Sequence, residues 1–231
     1  MTLEDFKKNT GLSFTNDSLL EQAFIHRSYI NENAKTGLVH NERLEFLGDA
    51  VLELVVTEFL YKQYPYHNEG DLTAYRSALV NAVTLGSVAS DLGINDMMKL
   101  SKGEAKDVHR ARSSILADAY EALIGALYLD QGYFVVADFV KKTVLVKTED
   151  IIRKGLHKDA KSFVQEKAQE KHNVTPSYRV LTEEGPDHDK LFTIGIFFGD
   201  EKVAEGRGKS KQEAETNAAR EALILKGWIT T

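Results

Sequence analysis

The 231-residue chain contains no cysteine. That excludes disulfide bridges and thiolate metal sites and makes a reducing cytoplasm the natural setting. Excess positive charge is lacking too. With 29 Lys and Arg against 35 Asp and Glu, the net charge is −6, so the protein is not coated in basic surface in the manner of many nucleic-acid binders. A polyanion would have to be held by a local patch. The first residues, Met1-Thr-Leu-Glu-Asp-Phe, are acidic early and lack the apolar segment of a signal peptide. The longest nearly apolar stretch, Ile115 to Leu129, is too short to span a bilayer and carries Asp118 and Glu121, so no membrane association is expected. Internal repeats and low-complexity blocks are absent as well. What is present, 42% hydrophobic and 28% charged residues, suits a globular chain of one large or two smaller domains.

The first two-thirds has apolar residues at three- and four-residue spacing and little alternation, which predicts a helical domain. The pattern places helices at Thr2–Lys8, Asp17–Ile25, His40–Tyr64, Gly70–Ser90, Ser113–Leu129 and Tyr133–Lys154, with Pro65 ending the third. The character changes near Gly155. A helix over Lys161–Lys171 is followed by strand-like runs at Ser177–Glu183, Leu191–Phe198 and Glu201–Glu205. Gly185-Pro186-Asp187 and Gly199-Asp200 separate the strands. A last helix, Ser210–Lys226, opens on Ser210 with Glu213 three residues on, a capping box. The expected architecture is an all-α domain over residues 1–153 and an α+β domain of order α-β-β-β-α over 158–228, joined by a short polar linker.

Carboxylates carry the strongest chemical signal. Glu45 and Asp49 lie four residues apart on one face of an otherwise apolar helix, with Glu42 and Glu53 on the same side. Ile115–Leu129 has only two charges, Asp118 and Glu121, and their three-residue spacing also puts them on one face. An acidic pair alone would be read as a solvated face. On helices this apolar, uncompensated carboxylates are costly. Two such helices meeting would gather Glu45, Asp49, Asp118 and Glu121. Four oxygen ligands with no His or Cys suit Mg²⁺, with Mn²⁺ as the alternative, and not Zn²⁺.

The residues themselves add more. Ala23-Phe-Ile-His-Arg-Ser-Tyr, Asn41-Glu-Arg-Leu-Glu-Phe-Leu-Gly-Asp, Leu79-Val-Asn and Ser114-Ile-Leu-Ala-Asp-Ala-Tyr-Glu-Ala-Leu-Ile-Gly-Ala resemble the ribonuclease III family. The resemblance covers nearly the whole chain and preserves the order of its parts. It implies a Mg²⁺-dependent endonuclease acting on double-stranded RNA as a homodimer in the cytoplasm, processing ribosomal and other structured precursors. Glu45, Asp118 and Glu121 would coordinate metal together with Asp49, and Asp49 and Glu121 would matter most for hydrolysis. Glu42 and Glu69 would support the cleft, although Glu42 also suits the acid of a helix first turn and Glu69 a plain loop charge. Phe46 reads as a core aromatic from the residues alone; the resemblance makes it a plug for the other subunit. His26 and Arg27 read as structural. Ser113 stands where the family often has proline.

The α-β-β-β-α order suits a double-stranded RNA-binding domain, which reads A-form shape across minor grooves. Gln165 and Glu166 on its first helix and His188 in its first strand–strand loop are candidate contacts. Lys209 and Lys211 stand at a helix N-terminus, where phosphate is favoured; the bland alternative is a pair of solvated lysines. Gln212 replaces a lysine frequent in the family. From Lys158 onward 12 basic residues face 13 acidic ones, so a basic footprint must be confined to one side. Two rivals make different demands. A duplex-RNA binder that no longer cuts predicts loss of one of the four carboxylates, all of which are present. A phosphohydrolase of small molecules has no use for an RNA-reading domain, so no small-molecule substrate is expected.

Overall fold

The computed structural model describes residues 1–106, 110–155, 157, 159–186 and 190–229. They form two compact units, Met1–Glu149 and Asp150–Thr231.

The first unit is helical. Its elements are α1 (Leu3–Thr10), α2 (Asp17–Ala23), α3 (Arg27–Glu32), α4 (Glu42–Gln63), α5 (Glu69–Val80), α6 (Ala82–Asp91), α7 (Arg110–Gln131) and α8 (Tyr133–Thr143); α9 (Thr148–Arg153) spans the division between the units. The helix α7 is the core. Ala119, Tyr120, Ala122, Leu123, Ile124, Ala126 and Leu127 are fully buried, as expected of a helix that is apolar nearly all round. Its main partner α4 contributes Leu44, Val51, Leu52, Val55, Val56 and Leu60, and α2, α6 and α8 pack on its remaining faces.

The expected helices are corrected at several points. The single helix expected over Gly70–Ser90 is two. Asn81 is extended (φ −75°, ψ 158°), and its side chain accepts the Thr84 N–H at 2.9 Å to cap α6. The helix expected over Tyr133–Lys154 ends at Thr143; a 3-10 turn at Leu145–Lys147 leads into α9. The short α3 was unforeseen, because its cap is His26, whose ring nitrogen accepts the Ser28 N–H. At the end of α2, the backbone of Phe24 and Ile25 turns away to pair with Lys99.

In the second unit, β1 (Ser177–Glu184), β2 (Leu191–Phe198) and β3 (Glu201–Gly208) form an antiparallel sheet in the order β1-β2-β3. Two helices, α10 (Ala160–His172) and α11 (Lys211–Leu225), close its core over Phe163, Val164, Ile196, Ala218, Ala219 and Leu223. Strand β3 runs three residues further than Glu205 because Gly206 and Gly208 lie under α11. A Cβ on Gly206 would sit 2.1 Å from the Ala218 amide nitrogen. The capping box at Ser210 is offset. Ser210 Oγ accepts the Glu213 N–H at 3.1 Å, but the Glu213 carboxylate accepts from Lys209 N at 2.9 Å and not from Ser210. Trp228 stacks on Phe198, with centroids 6.0 Å apart, and lies the same distance from the His172 ring. Among the described residues no helix is long and apolar enough to cross a membrane.

Candidate functional site

The site forms where α4 and α7 cross. At the crossing, Gly48 and Gly125 bring the two backbones into direct contact. A Cβ on Gly48 would fall 1.7 Å from the Glu121 carbonyl oxygen, and one on Gly125 would fall 2.1 Å from that of Leu44. No side chain fits there, so short carboxyl arms one turn away can meet. Asn41 fixes where α4 begins. It is 2% exposed, its Nδ2 donates to the Ala23 carbonyl at 3.0 Å, and its N–H donates to that of Ile25 at 2.9 Å. These bonds hold Glu45 beside His26 and Arg27.

One carboxylate oxygen each of Glu45, Asp118 and Glu121 lies within 4.8 Å of the others. All three residues are half-buried. Asp49 stands beside this triplet and is exposed, yet its charge acts on both Glu45 and Glu121. Burial, then the charges of Asp49, Asp118, Glu45 and Glu53, push the Glu121 carboxyl up to about 8. Burial and the neighbouring Asp118, Glu42 and Asp49 also raise Glu45, against a lowering by Arg27. Burial raises Asp118, with His26 opposing. A cleft of about 340 Å³ opens onto Glu45 and Asp118 of the triplet, with His26, Arg27, Asn41 and Glu42 as its other walls. The repulsion is therefore built in, and the cleft admits something that relieves it.

The remaining expected residues are placed as follows. Glu42 lines the cleft and contacts Arg27 at 3.4 Å. Glu69 is not brought to the triplet within the chain. It opens α5, accepts from Thr73 Oγ1 at 3.1 Å, and borders a separate cavity of about 480 Å³ with Thr57, Tyr61, His67 and Arg76. Phe46 is 83% exposed, which removes the core-aromatic reading. His26 and Arg27, read as structural, line the cleft; their position in the family-matching segment Ala23–Tyr29 was the available signal. In the second unit, Gln165 and Glu166 are exposed on α10, and Lys209, Lys211 and Gln212 are exposed around the start of α11. Lys211 is already engaged: its Nζ lies 2.9 Å from a Glu183 carboxylate oxygen and 5.5 Å from the centre of the Phe192 ring. His188 lies outside the described residues.

A helical unit with carboxylates pinched between its two longest helices, followed by an α-β-β-β-α unit, defines a hydrolytic nuclease with an attached RNA-binding domain. Comparison with known proteins agrees. Residues 16–148 match the ribonuclease-III-like family and residues 160–225 the double-stranded RNA binding motif. The chain is 45% identical to ribonuclease 3 of Anoxybacillus flavithermus over 223 residues, covering 95% of this chain and 92% of that protein. It is 44% identical to ribonuclease 3 of Carboxydothermus hydrogenoformans, covering 96% and 95%. The solved nuclease domain of ribonuclease III from Campylobacter jejuni superposes with a TM-score of 0.56 at 36% identity, over 62% of this chain and 96% of that one. The chain belongs to the ribonuclease III family, whose activity is endonucleolytic cleavage of double-stranded RNA.

Proposed function

We propose that this protein is a Mg²⁺-dependent homodimeric endoribonuclease whose ion is held by Glu45, Asp118 and Glu121, with Asp49 completing the acidic site. The observation that carries this reading is the meeting of three half-buried carboxylates within 4.8 Å on two mutually buried helices. The donor set fits a hard cation: it is all oxygen, anionic and without His or Cys. Oxygens this close could be drawn onto one divalent ion by side-chain rotation. When bound, a divalent ion here supplies charge neutralisation at the phosphodiester and activation of water. The chain's own residues orient that chemistry. Asp49, at the exposed edge, faces the incoming strand, and Glu42 with Arg27 limits the cleft on the side of α3. Water adds to phosphorus and the bond to the 3′ oxygen breaks. The oxygen leaves with a proton, giving 5′-phosphate and 3′-hydroxyl ends.

Two features support the dimer. Phe46, Leu54 and Tyr61 expose one stripe of α4, and the 480 Å³ cavity lies at its far end, roughly 20 Å from Phe46 along the helix. A twofold axis near Leu54 would set each Phe46 ring over the same cavity of a second copy, an isologous arrangement. It would also carry Glu69 toward the other subunit. The nuclease domain is taken as 1–153 and the RNA-binding domain as 158–228, with Gln165, Glu166, His188, Lys209, Lys211 and Gln212 as its candidate contacts to duplex RNA. Cytoplasmic structured precursors, ribosomal ones among them, suit the family and the cysteine-free composition. The test is long duplex RNA incubated with the purified chain, with and without Mg²⁺. Cleavage that needs the ion and leaves 5′-phosphates is expected; cleavage undiminished in chelator would refute the metal assignment.

A further inference from the structure

A second cleft, of about 470 Å³, adjoins the carboxylate cleft and shares His26 and Arg27 with it. Its other walls are Ser28, Asn31, Glu104, Ser114 and Ile115. Ser114 stands four residues before Asp118 on α7, so it lies on the same helix face about 6 Å along the axis. A strand threaded past the triplet would therefore place a neighbouring nucleotide here.

The chemistry of the walls selects what that nucleotide presents. His26 is oriented by its hydrogen bonds. Ser28 N–H donates to Nδ1 at 3.3 Å. Ser28 Oγ accepts from Ser101 N at 3.0 Å and lies 2.8 Å from Nδ1. With Nδ1 accepting the Ser28 N–H, the neutral ring carries its proton on Nε2, as a donor. Arg27, whose side chain is 69% exposed, and Asn31 add donors. Glu104 adds a carboxylate acceptor, and its charge is the leading one acting on His26. A cation is disfavoured by Arg27. A phosphate is disfavoured by Glu104. A group that donates one hydrogen bond and accepts another satisfies both sides.

We infer that this cleft receives the 2′-hydroxyl of a ribose next to the scissile phosphate, donating to the Glu104 carboxylate and accepting from the His26 side. The inference rests on the proposed duplex-RNA cleavage and adds a site at which RNA is told from DNA beside the cut, separate from the shape reading of the second unit. Glu104 and His26 are specificity-determining residues in this scheme.

The experiment uses the full chain with Mg²⁺ and short duplexes carrying a single 2′-deoxy substitution at each position within three nucleotides of the cut. Wild type should lose about tenfold in kcat/KM at one flanking position, the size of one lost hydrogen bond to a charged group. Glu104→Ala should cleave the all-ribose duplex more slowly and show no further loss from the deoxy substitution at that position. His26→Asn, which keeps a capping acceptor and a donor, should retain part of the discrimination. Equal rates for wild type across all deoxy positions would overturn the inference, as would an undiminished deoxy penalty in Glu104→Ala. Failure of wild type to cut the all-ribose duplex would instead refute the proposed function.

Discussion

Replacing Glu121 by Gln should stabilise the metal-free protein while abolishing cleavage. Gln keeps the shape of the side chain and removes a charge that burial and four neighbouring carboxylates disfavour. A carboxyl that titrates near 8 in the folded chain, against 4.5 ordinarily, binds more protons folded than unfolded over the interval between. Stability of the wild type without metal therefore falls as pH rises from about 4.5 through about 8. Fully enclosed, such a displacement would cost about 4–5 kcal/mol at high pH; Glu121 is partly open to solvent, which reduces it to about 1–2 kcal/mol. At pH 8.5 in EDTA, Glu121→Gln should thus melt about 3–6 °C higher than wild type, and at pH 5 the two should coincide, because the wild-type carboxyl is then protonated. Adding Mg²⁺ should raise the wild-type midpoint and move the variant far less. Thermal unfolding followed by circular dichroism, with duplex-RNA cleavage in parallel, decides it. A variant no more stable than wild type at pH 8.5 in EDTA, or one that cuts at near-normal rates, would refute the reasoning.

Gly125→Ala should force α4 and α7 apart, because the new Cβ meets the Leu44 backbone at 2.1 Å; a loss of about 3 kcal/mol in urea unfolding and collapse of Mg²⁺-dependent cleavage are expected, and near-normal values for both would contradict the crossing geometry. Phe46→Ala should weaken self-association by several kcal/mol, as truncation of an aromatic anchor does, without lowering the melting point of the monomer; sedimentation over a dilution series reads it, and an unchanged equilibrium would remove Phe46 from the interface. A chain ending at Arg153 should cut duplex RNA at low salt and lose activity steeply as salt rises, since it lacks the phosphate contacts proposed for Lys209 and Lys211. The segment Lys158–Thr231 alone should bind duplex RNA over single strands or duplex DNA and cut nothing; binding assays with the three ligands test that half.

Elements with strong periodicity or clear punctuation were readable from the sequence. The acidic helix, the apolar helix of Asp118 and Glu121, and the α-β-β-β-α order all carried local signals. What escaped lacked strong punctuation in the local sequence. The break at Asn81 interrupts a continuous helical pattern with no Gly or Pro at the break itself; its signal, Asn81 three residues before Thr84, is a weak cap motif. The Tyr133–Lys154 helix breaks at Val144, a residue of ordinary helical compatibility, for which no local cause was visible. At the site, the carboxylates were legible as a charge pattern, but Gly48 and Gly125 were not legible as the contact that lets them meet. His26 passed for structural because its ring both caps α3 and lines the cleft. Glu69 shows the opposite case: a residue identified through resemblance alone, which one chain cannot carry to the triplet.

Trp228 is the chain's single tryptophan, and it is packed against Phe198 and His172 within the second unit. Excited at the red edge of the absorption band, where tyrosine contributes little, the protein emits only from that aromatic stack. Tryptophan emission thus follows the smaller unit in the intact chain, while far-ultraviolet ellipticity, dominated by the helices of the first, follows the larger. The two unfolding transitions can be separated without severing the linker, and RNA titrated into the intact enzyme has an optical reporter on the unit that reads the duplex and none on the unit that cuts it.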